Sequence, residues 1–455
     1  MKLKKRLTAP VLLLALAVLL SGCTPALAPS YIDTVAEITS APTPIPTPVP
    51  YSSQGIPRVR GEMETAAYWI GQLEDPDALL ATAEEIDRAN SENYINEETR
   101  MTDLPAYPEA IAAASLRAMA ENVLQADYSD YYAPDAHPDA GFYQTLYDAM
   151  APELLPPEPD AEIPVSWGVA VEPAMVRSYP TDIQLLTAPG DVEFDYFDLS
   201  VLYPGEAVAV LWTSSDGAWY YIIARQLGGW VRAASLALTD RDTWLIFADP
   251  ESPWVVTAAS ATLGETVYPT GTVFPEREGK VLLPDWDDEG RLILREEAPA
   301  EGLTLGWLPL TRRNLIIQAF VSLGEPYGWG GRNGLDCSQY TSRLYRYFGV
   351  HLARNTSWQP HCAGKTWDME GMSGEQKLTA LKTLGPGALA FMRGHVMVYL
   401  GEDDGRPCVI HSLYSWSEEG SVRQVCGRVA VSDLLIYRAS NGKTFLESLT
   451  WLLLP

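Results

Sequence analysis

The chain has 455 residues, with 32 Lys+Arg against 59 Asp+Glu and a formal net charge of −27. That length exceeds what one hydrophobic core usually organises, so several domains are expected. A charge of this sign repels phosphate backbones and no basic stripe relieves it, which argues against a nucleic-acid partner.

At the amino terminus Lys2, Lys4, Lys5 and Arg6 precede an apolar run over residues 11–20, and LSGC at residues 20–23 resembles a bacterial lipobox. The run is too short for a comfortable membrane span, and small residues before Cys23 suit signal cleavage. The expectation is a signal peptide over residues 1–22, lipid on Cys23, and a protein held by that lipid at the outer face of the bacterial cell membrane. Removing the four basic residues makes the charge four units more negative. Residues 23–50 then carry APTPIPTPVP at 41–50, an alternation that stays extended and semi-rigid, and so reads as a stalk.

Residues 51–165 have an acidic, helical pattern. Residues 75–86 have an Asp75-Pro76 helix start, and residues 108–119 are rich in helix formers. No reactive constellation appears there, and the region is expected to be a stabilising scaffold. From 166 the texture changes to short strands and turns: GEAVAVLW at 205–212, SSDG at 214–217, AWYYIIA at 218–224 and GWVR at 229–232. This series resembles a bacterial SH3 domain over residues 166–240. A weaker second copy covers 241–308 and ends in GWL at 306–308.

Residues 326–350, PYGWGGRNGLDCSQYTSRLYRYFGV, carry the sharpest signal. Gly328, Gly330, Gly331 and Gly334 prevent regular structure, and Tyr340, Leu344, Tyr347 and Phe348 then follow Cys337 at helical spacing. Asp336 suits an N-cap, which places Cys337 in the first helical turn. There the macrodipole and free N–H groups favour a thiolate and can stabilise an oxyanion. The chain has only five histidines, His137, His351, His361, His395 and His411. His395 opens the strand-like run HVMVYL, and His411 lies in VIHSLY beyond the turn EDDG at 402–405. An antiparallel hairpin would set the two imidazoles side by side, with His395 as base for Cys337 and His411 as its orienter.

PYGWGG and DCSQY, followed by LARNTSWQ at 352–359, GPGALAF at 385–391, GHVMVYLG at 394–401 and VIH at 409–411, resemble the NlpC/P60 cysteine peptidases in block order across residues 312–437. The resemblance implies a multidomain α+β protein: an N-terminal helical segment, two SH3-like β-barrels, and a papain-like NlpC/P60 domain over 309–455. It implies cleavage of peptidoglycan stem peptides at the γ-D-glutamyl to diamino-acid bond, with Cys337 as nucleophile, His395 as base, His411 as third polar residue and Tyr327 as the active-site tyrosine. It also implies that Asp336 and Ser338 hold a free stem-peptide amine, with the first barrel bordering the site. Asp198 and Tyr220 are the residues expected at that border. Two positions depart from the family pattern. Gln339 stands where glycine is usual and is expected to point away from the thiol, and Ala353 stands where proline commonly precedes the arginine.

Cys362, Cys408 and Cys426 remain after Cys23 and Cys337 are assigned. Export permits disulfides, and Cys408 and Cys426 lie on strands that could be neighbours, so their pairing stays open. No paired Cys-x-x-Cys exists, and neither a metal nor an organic cofactor is expected. The leading reading is a monomeric, tethered cell-wall endopeptidase. The rivals are an inactive wall-binding protein, or an amidase or acyltransferase on the same fold.

Overall fold

The computed structural model describes residues 55–418, 422–438 and 440–455. The expected signal peptide, Cys23 and the stalk lie outside the described residues. Among the described residues no helix is long and apolar enough to cross a membrane.

The helical region serves two different neighbours. Met63, Trp69, Ile86 and Met101 join the core of the C-terminal unit beside Leu310, Leu315 and Tyr345. Leu104, Leu116, Leu146 and Met150 join that of the first barrel beside Trp167 and Trp230. Its helices start elsewhere than the composition suggests. Residues 76–80 are drawn into contact with the C-terminal unit, with Leu80 N–H on the Leu310 carbonyl at 2.9 Å and Asp77 paired with both arms of Arg313. The helix Ala83–Ile95 begins only where Thr82 and Glu85 form a capping box. The second helix is Ala113–Val123, preceded by the strand Ala110–Ala112 paired with Glu162–Pro164.

The first barrel is a seven-stranded sheet in the order Asp198–Leu202, Ala174–Arg177, Gly228–Arg232, Trp219–Ile223, Ala207–Thr213, Ser166–Ala170 and Leu236–Thr239. The helix Arg241–Ala248 closes it. Trp244 is fully buried, its ring 4.4 Å from that of Trp167 and its N–H on the Val208 carbonyl. Trp244 therefore belongs to the first barrel's core, not to the second unit, as its position had suggested. The second small β unit starts at Trp254–Val256 and has its own core of Val256, Leu263, Tyr268, Phe274, Val281 and Leu283.

The C-terminal unit holds a six-stranded antiparallel sheet in the order Lys365–Asp368, Leu449–Leu454, Leu389–Met392, His395–Asp403, Arg406–Glu418 and Val422–Asp433. Val396, Val398 and Leu400 pack with Tyr340 and Leu344 of the helix Cys337–Arg346. Met397 and Tyr399 pack on the other face with Leu381 and Leu384 of the helix Gly374–Leu384. Both faces of this strand are thus covered, which explains its near-continuous apolar sequence.

Cys408 faces Asp433 across the last hairpin, whereas Cys426 lies seven residues earlier on that partner strand. At about 3.3 Å per residue this offset of about 23 Å rules out a bridge. Cys337, Cys362 and Cys408 carry free thiols.

Candidate active site

Cys337 is the first residue of its helix, with Asp336 as N-cap accepting from the Gln339 N–H at 2.8 Å. The Cys337 N–H is among the first four that a helix leaves without an internal acceptor. The nucleophile loop is tied to the hairpin by Ser412, whose hydroxyl donates to the Leu335 carbonyl at 2.6 Å. The N–H groups of Val396 and Ser338 point at the Cys337 sulfur. His395 directly precedes Val396 and opens its strand, so the backbone that carries the imidazole lies beside the thiol.

The two histidines are joined, His395 Nε2 to His411 Nδ1 at 2.7 Å, and His411 Nε2 reaches Ser432 Oγ at 3.0 Å. Nδ1 of His395 is the ring nitrogen outside this contact. Among the described residues no hydrogen bond joins the thiol to either ring.

The expectation of a low thiol pKa is reversed. Burial pushes the Cys337 thiol up to about 12, and the Asp336 charge adds to it, outweighing the two N–H groups and Arg354. Burial also pushes His395 down to about 3. Burial thus disfavours the charged form of both groups.

Burial likewise holds His411 and His351 well below the ordinary range. These three groups bind protons more tightly when unfolded, so their contribution to stability is complete above about pH 6.5 and is progressively lost as pH falls below it. Each contributes up to about 1.4 kcal/mol per pH unit in that window. Urea unfolding of the C-terminal unit should show a lower midpoint at pH 5.5 than at 7.5. Equal midpoints would contradict burial of these rings as neutral groups.

Asp336 and Ser338 are held in a buried network centred on Arg354. Arg354 donates to both Asp336 oxygens at 3.1 and 2.5 Å, to Ser338 Oγ at 3.0 Å and, through Nε, to Ser200 Oγ of the first barrel at 2.9 Å. Asp336 Oδ1 accepts from Ser338, Gln339 and Arg354, while among the described residues Oδ2 accepts only from Arg354. Oδ2 thus retains a free lone pair.

The first barrel does border the site, but not as read from sequence. Asp198 is buried and pairs with Arg177 of its own barrel and with Arg332 of the loop before Cys337. It braces that loop instead of presenting a free carboxylate. Tyr220 packs against the barrel's own apolar layer with Leu199, Leu227 and Leu238. Its strand lies three places from that of Asp198, about 14 Å away at normal strand spacing, which removes it from the border.

The barrel instead contributes residues 193–196, which the sequence reading missed. The Phe194 ring lies 4.8 Å from Tyr414, 5.5 Å from Trp329 and 6.3 Å from Tyr327, and Tyr196 lies 5.3 Å from Trp329. Glu193 accepts from the Tyr414 hydroxyl. Burial pushes the Tyr327 phenol well up, with Cys337 and Asp336 adding to the effect.

Both departures from the motif have a physical account. A Cβ on Gly331 would lie 2.5 Å from Gln339 Oε1, so the Gln339 amide packs where Gly331 has no side chain. The Ala353 N–H donates to Cys362 Sγ at 3.4 Å, a bond that proline could not make.

Fold and site together define a multidomain α+β protein with a cysteine at a helix start and a joined histidine pair on the adjacent sheet. Residues 324–424 match the NlpC/P60 family model and residues 185–232 that of an SH3 domain of the SH3b1 type, so the chain carries one domain of each kind. The family is one of cysteine peptidases, consistent with action on the cell wall. A structure described as a novel NlpC/P60 endopeptidase from Photobacterium damselae subsp. piscicida is 20% identical and aligns over 86% of this chain and 96% of its own, with a TM-score of 0.66. An NlpC/P60 family protein from Bacillus cereus ATCC 10987 is 18% identical and aligns over 64% of this chain and 99% of its own, with a TM-score of 0.43. The first of these supports the fold. No curated protein matches.

Proposed function

We propose that this protein is an extracytoplasmic endopeptidase, held to the cell membrane by lipid on Cys23, that cleaves the γ-D-glutamyl to diamino-acid bond of peptidoglycan stem peptides. The observation that carries this reading is the His395–His411 bond of 2.7 Å beside a helix-start cysteine. The Cys337 sulfur attacks the γ-carbonyl as its proton passes to His395 Nδ1, forming the C–S bond. His395 then protonates the diamino-acid amine as the C–N bond breaks, and water, deprotonated by the same imidazole, releases the thioester as a carboxylate.

A preference for a free N-terminal L-Ala is supported by the open lone pair of Asp336 Oδ2 beside Ser338. The aromatic wall of Phe194, Tyr327 and Tyr414 offers an apolar boundary for a short peptide. The bulk negative charge repels anionic wall polymers, so the lipid and stalk, not attraction, would bring the site to the wall.

One observation favours a second reading, wall binding without turnover: the Cys337 thiol is buried and makes no hydrogen bond to either imidazole among the described residues. Digestion of L-Ala-γ-D-Glu-diamino-acid peptides, free and N-acetylated, by the chain lacking residues 1–23 separates the readings. We expect cleavage of the free peptide and little of the acetylated one. Intact peptides of both kinds would favour the binding protein, and equal cleavage would remove the amine preference alone.

A further inference from the structure

We propose that Ser432 is a positioning residue, the far end of a relay Cys337–His395–His411–Ser432 whose hydroxyl sets the tautomer of both imidazoles. The inference rests on the peptidase reading and extends it to a residue outside the motif.

One proton occupies the 2.7 Å contact between His395 Nε2 and His411 Nδ1. If it sits on His395, the His395 Nδ1 is bare and able to take the thiol proton. His411 then carries its own proton on Nε2 and donates it to Ser432 Oγ, 3.0 Å away. If the proton sits on His411, every role inverts. His411 Nε2 is bare and accepts from the Ser432 hydroxyl, and the His395 proton moves to Nδ1, where it blocks acceptance from the thiol.

His411 and Ser432 are both fully buried, so water does not supply a substitute partner at Nε2. Removing the hydroxyl would leave a buried Nε2–H unsatisfied, and the neutral ring relieves this by moving its proton to Nδ1, the unproductive form. With the hydroxyl accepting from Nε2–H, the productive tautomer keeps every group of the chain paired and uncharged, a pairing that is lost without the hydroxyl. When His395 becomes imidazolium during turnover, its Nε2–H still donates to His411 and no rearrangement is needed. The hairpin register enforces the placement: His411 pairs with Ala430 and Ile410 with Val431, which brings Ser432 alongside His411 two residues further along.

The test uses the full chain with ¹⁵N-labelled histidine, its five rings assigned by single replacement, together with steady-state hydrolysis of the free stem tripeptide. In the wild type, His411 should show a protonated Nε2 and a bare Nδ1. Ser432→Ala should shift His411 towards the Nδ1–H form and lower kcat tenfold or more with KM within twofold. Ser432→Thr, which keeps the hydroxyl, should restore both. A wild-type His411 protonated on Nδ1 overturns the proposal, as does a Ser432→Ala protein with unchanged kcat and tautomer. If either variant fails to fold, the wild-type tautomer still decides. The ring spectra need no substrate, so a wild type that cleaves no stem peptide would refute the proposed function while leaving the relay to be judged on its own.

Discussion

Arg354→Ala should cost about 3–5 kcal/mol of stability, the usual penalty for removing one partner of a buried ion pair. Arg354 is 3% exposed and Asp336 7%, so the abandoned carboxylate would be left largely desolvated. The same change removes the donors to Ser338 and Ser200 and detaches the first barrel from the helix cap beneath Cys337. Arg354→Lys should rescue little, because one ammonium cannot reproduce a fork that serves two carboxylate oxygens and two hydroxyls. Asp336→Asn in the Arg354→Ala background should recover part of the loss, since no buried charge is then stranded. Urea unfolding measures all of these. A loss below about 1 kcal/mol for Arg354→Ala would contradict the network's role as the brace of the nucleophile mount.

His411→Ala should lower kcat by about 10²–10⁴-fold with little change in KM, the range expected when a catalytic base loses the group that orients it. The His395 ring would lose its 2.7 Å partner and leave Nε2–H buried without an acceptor. His411→Asn should regain part of the rate, since its amide oxygen can accept that proton. The measurement is steady-state hydrolysis of the free tripeptide. A His411→Ala enzyme within threefold of wild type would show that His395 needs no orienter.

The chemistry-bearing residues were legible because they are local in sequence. A Gly-rich run giving way to helical periodicity presents Cys337, and a short hairpin joins His395 to His411. The residues that brace them were not legible, because each depends on a distance that the chain closes only when folded. Ser432 meets His411 across 21 residues of hairpin, and Ser200 meets Arg354 across 154 residues between domains. Asp198 was expected at the border of the site and lies there, paired with Arg332 and Arg177. The strand's alternation directs both Asp198 and Ser200 to the C-terminal unit, where arginines already wait for them. The thiol's surroundings were only half legible for a related reason: the helix start is visible in sequence, but the burial of Cys337 is not.

The most direct test of the central claim is to quench the wild-type enzyme with acid during turnover of the free stem tripeptide and map the adduct by mass spectrometry. The account predicts an L-Ala-γ-D-Glu acyl group on the peptide containing Cys337, absent in Cys337→Ala, which should also leave the substrate intact. Cleavage without any acyl adduct, an adduct on another residue, or full activity in Cys337→Ala would contradict it.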